Sequence, residues 1–247
     1  MYRPVLSGPL TPAHRDRLLG AGVEPDILAA LTEGRSILRR VEGPLPTWWP
    51  GSGNAIYLLD GVRLPERLVE LLTTYPFRDT VVVVASDLTH LTCLLVGGDG
   101  ATVFVGERAF LSDGEIYCGA GSSVVLNGRV VATSRAQLDA RNGGSLVAAP
   151  DQLWASGVYL ATDDMHRLED LATGARLNPY GATIRLGEHV WLGRDAIVTG
   201  HVEIGEGSVV GARSLVRGQK IASHVVVAGT PARVIREGVT WRGEDTP

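Results

Sequence analysis

The 247 residues carry 23 Lys and Arg against 27 Asp and Glu, for a net charge of −4, with 45% hydrophobic and only 6% aromatic residues. So much apolar content at so little charge excludes a disordered chain, and the slight acidity argues against a dedicated nucleic-acid binder. No stretch approaches the ~20 apolar residues of a membrane span, and the opening residues lack an apolar signal core, so a cytoplasmic protein with no membrane partner is expected. Two cysteines, Cys93 and Cys118, form no disulfide framework and no zinc-ligand spacing. The anomaly is Gly at 31 positions, about 13% against a usual ~7%, which predicts many tight turns between short strands.

The first hundred residues read as a mixed α/β region. Thr11 before Pro12 predicts a helix N-terminus, with the helix stopping at Gly20. Asp26 to Glu33 predicts a second short amphipathic helix through Ile27, Leu28 and Leu31. Gly43 to Gly53, with the pair Trp48-Trp49, reads as a structured loop. Strands are expected at Asn54–Leu59, Val81–Val84 and Leu91–Val96, with a helix over Pro65–Thr73. No chemical motif stands out there.

From about Ala101 the helical signals fade. Over 186–221 an aliphatic residue recurs every six positions: Leu186, Leu192, Val198, Ile204, Val210, Val216. Gly follows four of them, as Gly187, Gly193, Gly205 and Gly211. Small or β-branched Val190, Ala196, Val202, Ser208 and Ser214 sit four positions after an aliphatic. Period six fits neither a helix face nor a flat sheet. It fits a solenoid in which three hexads close a triangular coil of about eighteen residues and coils stack at ~4.8 Å. The aliphatics point inward, and Gly is expected at the corners for its tolerance of positive φ. The solenoid is expected to begin near residue 101, where Val105 and Leu111 carry the period faintly. It should end near Val227, with GTPARVIREGV as a turn and short capping helix. The expected division is 1–100 as a mixed α/β region and 101–247 as the solenoid.

Residues 161–236, with DDMH, the hexads through HVWLG and then AGTPARVIR, resemble the hexapeptide-repeat acyltransferases, among them maltose, galactoside and xenobiotic acetyltransferases. The resemblance implies a mainly β fold, a left-handed parallel β-helix, usually a homotrimer with active sites between subunits. It also implies acetyl-CoA or another acyl-CoA as cosubstrate and a hydroxyl of a sugar, polysaccharide or small metabolite as acceptor. His166 matches the family's general base. Imidazole suits that role because its ordinary pKa of about 6.5 lies near operating pH. Asp164 or Asp163 is placed to orient the ring, with a backbone carbonyl as the competing orienter. Arg167 to Asn178 breaks the six-residue frame and reads as an acceptor-gripping loop, in which Arg176 and Asn178 match a family position.

Between Glu206 and Glu237 lies no acid, but five bases: Arg213, Arg217, Lys220, Arg233 and Arg236. An electropositive rim of this kind suits the phosphates of CoA, with Arg217, Lys220, Arg233 and Arg236 as candidates. The resemblance places the Gly211-Ala212 backbone beside the pantetheine arm and Trp191 in the cleft. His189 and His201 are twelve residues apart and so fall on different faces, which argues against a metal centre. An N-acyltransferase on an amino sugar and a non-catalytic trimeric scaffold are the competing functions.

Overall fold

The computed structural model describes residues 3–178 and 180–243. Three helices, α1 (Pro12–Ala21), α2 (Pro25–Glu33) and α3 (Glu66–Leu72), accompany a three-faced stack of short parallel strands. In chain order, each coil visits a first, a second and a third face. The first face runs from Ala55–Leu59 and Val81–Val84 down through Thr102–Val105, Ser123–Leu126, Ser145–Ala148, Thr183–Leu186 and Val202–Ile204 to Lys220–Ile221. The second carries Phe110–Leu111, Val130–Ala132, Gln152–Trp154, Trp191–Leu192, Val209–Val210 and Val225–Gly229. The third carries Cys93–Gly97, Glu115–Gly119, Gln137–Ala140, Tyr159–Ala161, Ile197–Thr199 and Leu215–Arg217.

The six-residue frame describes the lower coils as expected. Leu186, Leu192, Val198, Ile204, Val210 and Val216 are all buried, as are Val190, Ala196, Val202, Ser208 and Ser214. Here strands pair eighteen residues apart, as in Ile197 with Leu215 and Trp191 with Val209. Above residue 161 the coils are longer. Cys93 pairs with Glu115 and Gln137 with Tyr159, each 22 residues on, because the corners take up extra residues. That length, rather than a change of fold, is why the period is faint there.

Three expectations are corrected. The parallel ladder does not begin at residue 101: Ala55–Leu58 pairs with Val81–Val84, which pairs with Thr102–Val105, so the first face runs unbroken across residue 100. The C-terminal segment is no helix. Val225–Gly229 and Ala232–Glu237 form an antiparallel hairpin, and Val226 and Val227 also pair with Val209 and Val210 of the coil above. The β-branched run of Val225, Val226, Val227, Val234 and Ile235 favours strand. Finally, the four glycines that follow the inward aliphatics are not there for positive φ. The left-handed positions fall on other residues, including His189, Asp195, Gly207, Arg213 and His224. Gly187, Gly193 and Gly205 are confined by the next coil, since a Cβ would stand 2.7, 2.6 and 2.4 Å from backbone nitrogens of Glu206, Ala212 and Ser223.

The helices cover the upper first face. The α1 N-cap Thr11 accepts from His14 N, and the helix runs past Gly20 to a left-handed Gly22, whose N–H bonds Leu19 O. Leu18, Val23, Leu28 and Leu31 pack on Tyr57, Val83, Phe104, Val125 and Val147. Arg17 fixes α1 by donating to Thr102 Oγ1 and to the carbonyls of Asp79, Gly100 and Ala101. Asn127 joins the α1–α2 link to the stack, accepting from Glu24 N and donating to Gly22 O. Helix α3 closes the top of the coil with Leu68, Val69 and Leu72.

The second face has no such cover. Its outward positions form one registered row: Phe110, Val131, Leu153, Trp191, Val209, Val226. Every one is apolar; Phe110, Val131 and Trp191 are 44%, 40% and 38% exposed, while Val209 is buried at 9%. No described helix is long and apolar enough to cross a membrane.

Candidate functional site

His166 lies in the long departure from the coil. Tyr159 pairs with Ile197, 38 residues on, where its lower neighbour pairs at eighteen. The surplus leaves at the corner between third and first faces as a loop from Thr162 to Ala182, whose middle folds on itself through an antiparallel bridge of Glu169 and Arg176.

The loop is tied down at its roots. Thr162 Oγ1 accepts from Arg141 N at 2.9 Å. Asp163 is buried: Oδ2 accepts from Asn142 Nδ2 at 2.6 Å and lies 3.8 Å from Arg176, while Oδ1 accepts from Met165 N at 3.0 Å. Arg176 also donates to Asn178 O and stacks over Tyr180 at 3.8 Å. Asn178 donates to His166 O at 2.6 Å and accepts from Leu168 N at 2.9 Å. His166 N donates to Asp164 O at 2.8 Å. The exposed imidazole faces no recorded side-chain partner among the described residues, and the Asp164 carboxylate accepts from Arg217 at 3.1 Å. Loop and corner enclose a cavity of about 180 Å³, lined by Asp164, Leu168, Asn178, Thr199, His201 and Arg217 among others.

One coil above, on the third face, Arg141 bonds Asp139 at 2.6 Å and covers the Tyr117 ring at 3.9 Å. Burial first, then the charge of Asp139, pushes the Tyr159 phenol above its usual pKa; Asp164 adds to this and Arg141 opposes it. These groups therefore share one polar field with the loop.

The candidate residues divide into two sets. His166, Asp164, Arg176, Asn178 and Arg217 meet at the third-to-first corner. Trp191 lies on the second face and Gly211-Ala212 at its corner with the third. Arg233 and Arg236 lie on the terminal hairpin strand, and Arg233 donates to Ala232 O. Lys220 turns to Glu203 on the first face at 2.6 Å. Among the described residues, no hydrogen bond, ion pair or ring contact joins Trp191, Gly211, Ala212, Arg233 or Arg236 to the loop.

His189 and His201 stand at different corners. His189 bonds Asp151 at 2.7 Å and stacks on Trp241 at 4.0 Å; Trp241 also neighbours Trp191, with ring centroids 6.4 Å apart. His201 Nδ1 accepts from Thr183 N at 3.2 Å. No described group of three or more His, Cys, Asp or Glu side chains is arranged to hold a metal ion. Asn142 and Tyr180 are the site residues that sequence reasoning missed. Asn142-Gly143-Gly144 reads only as a turn, and nothing local joins it to Asp163.

Comparison with known proteins follows the geometry. The bacterial transferase hexapeptide family (six repeats) matches residues 183–218. The chain is 45% identical to galactoside O-acetyltransferase of Escherichia coli (strain K12) over 58 residues, 24% of this chain and 28% of that protein. It is 36% identical to the putative lipopolysaccharide biosynthesis O-acetyl transferase WbbJ of the same strain over 101 residues, 38% of this chain and 50% of that protein. The matches thus span half or less of these curated relatives. Among solved structures, the polySia-specific acetyltransferase NeuO aligns with TM-score 0.51 and 21% identity over 79% of this chain and 81% of that one. The polysialic acid O-acetyltransferase OatWY aligns at 0.50 and 20%, over 68% and 80%. The fold is thus that of the hexapeptide β-helix acetyltransferases.

Proposed function

We propose that this chain, which carries the bacterial transferase hexapeptide repeat, is an acyl-CoA-dependent O-acetyltransferase acting on a saccharide hydroxyl. The observation that carries the reading is His166 on a loop anchored at one corner of the repeat, where its neighbours Asp164, Leu168 and Asn178 line a small cavity. The imidazole takes the acceptor hydroxyl proton as the oxygen attacks the thioester carbonyl. The tetrahedral intermediate collapses to the ester, and the CoA thiolate leaves with the proton from the imidazolium. No covalent enzyme intermediate is needed.

The cosubstrate side of the reading is Arg217, Lys220, Arg233 and Arg236 toward the phosphates, with Trp191, Gly211 and Ala212 along the pantetheine arm. Because Trp191 and Gly211 belong to a different part of the triangle from His166, a second copy of the chain completes the site. The apolar row from Phe110 to Val226, exposed at Phe110, Val131 and Trp191, supports a homotrimer joined along that face, since an exposed apolar patch marks an association surface. Light scattering should give a trimer, and Val131→Glu should release monomers; a monomeric parent protein sinks the assembly.

The test of the activity is CoA release from acetyl-CoA with galactosides, glucosides, sialic acid oligomers and an amino sugar. O-acetylated product is expected, and product on the amine alone would replace this reading with N-acylation. His166→Ala should lower turnover by about 10²–10⁴-fold while CoA affinity by calorimetry is kept. Full turnover in that variant removes the base, and absence of CoA affinity in the parent leaves only a scaffold.

A further inference from the structure

We infer that Asp163, anchored by Asn142 from the coil above, is the positioning residue for the base, and that it acts through the backbone rather than through the imidazole. The inference rests on the reading of His166 as the base.

The acid expected to orient the ring is committed elsewhere. Asp164 turns to Arg217 at 3.1 Å. Asp163 turns inward, its side chain only 3% exposed. A carboxylate this buried is tolerated only when its oxygens are satisfied. Its partners come from three places: Asn142 at the same corner one coil up, Arg176 on the returning half of the loop, and Met165 N next to the base. Asp163 thus fastens the solid stack to both halves of an otherwise protruding loop.

The bond to Met165 decides where His166 points. Met165 has φ of 64°, in the left-handed region that a side-chain-bearing residue seldom adopts. An Asp accepting from the N–H two residues on stabilises such a turn. On the other side, Asn178 holds His166 O and Leu168 N. The peptide before Met165 and the peptide after His166 are therefore fixed, and the first of these holds traces back through Asp163 to Asn142. A base displaced by about 1 Å loses on the order of 10²-fold in rate, so a clamp on the backbone acts on turnover without touching substrate.

The experiment uses the full chain, acetyl-CoA and the acceptor from the panel that gives most product. Asp163→Ala removes the acceptor for both Met165 N and Asn142 and should lower kcat about 10–100-fold, with the KM for acetyl-CoA and the CoA Kd within about twofold. Asn142→Ala should lower kcat in the same sense by a smaller factor. Asp163→Asn keeps an oxygen for Met165 N, and Asn142 can turn its amide to accept from the substituted side chain, so this conservative variant should retain most of kcat. Asp163→Ala with kcat within twofold of the parent overturns the inference, as does an Asp163→Asn that keeps the parental Tm but loses as much kcat as Asp163→Ala. If Asp163→Ala does not fold, Asn142→Ala decides: unchanged kcat overturns the inference. His166→Ala separates the two claims. An inactive His166→Ala beside a fully active Asp163→Ala removes only the clamp; an active His166→Ala removes the base itself.

Discussion

The upper and lower coils of the stack share an interior and differ at their edges. Along the first-to-second corner the position after the strand is Asn127, then Ala149, then Gly187, then Gly205, one coil below another. Asn127 and Ala149 carry a Cβ, whereas Gly187 and Gly205 cannot, because the next backbone stands 2.7 Å and 2.4 Å from where it would be; Gly106, at the same corner in a 21-residue coil above them, is confined alike by Asn127 O at 2.7 Å. A coil of 22 residues has slack for a side chain, and Asn127 uses it to bond the helical cap. Short coils give a regular repeat, and long coils give room for attachments.

The comparison can be broken in three places. The largest effect belongs to the interior, where the two halves should behave alike. Leu138→Ala above and Leu192→Ala below should each cost about 2–5 kcal/mol in denaturant unfolding. One variant near zero beside the other in that range would mean the halves are packed differently. Next come the corners. Gly205→Ala should cost about 1–3 kcal/mol by overpacking, while Ala149→Gly costs no more than about 1. Equal costs would deny that the closeness of the next coil's backbone decides where Gly is required. The smallest effect tests the attachment. Asn127→Ala should lose about 1–2 kcal/mol, with faster amide exchange confined to α1 and α2. Exchange quickening throughout the stack would show that cap and coils unfold as one.

The lower coils were legible in the sequence because each inward aliphatic returns on a strict count, and nothing in 183–218 interrupts it. The upper coils were not, because three or four extra corner residues per turn scatter the same aliphatics. The strands at Ala55–Leu59 and Val81–Val84 were found as strands but not as coil members, since parallel pairing at long range leaves no local mark. The terminal hairpin was misread because Pro231 followed by Ala, Arg and Val suits a helix start as well as a turn. At the site, His166 and Asn178 were visible from their motif. Asn142 was not, because what makes it matter is its height in the stack, 21 residues from Asp163.

The ends of the stack carry a consequence of their own. A parallel coil offers its successor the same open edge it received, so nothing in the repeat itself says when to stop. Left bare, such an edge would template growth from molecule to molecule into a fibre. Here the chain turns against its own grain at the top of the first face and at the bottom of the second. Val5–Ser7 and Leu38–Gly43 enter antiparallel at the top, and Ala232–Glu237 runs back antiparallel at the bottom with Arg233, Arg236 and Glu237 along it. On those two faces the reversal replaces the edge that a further parallel coil would extend.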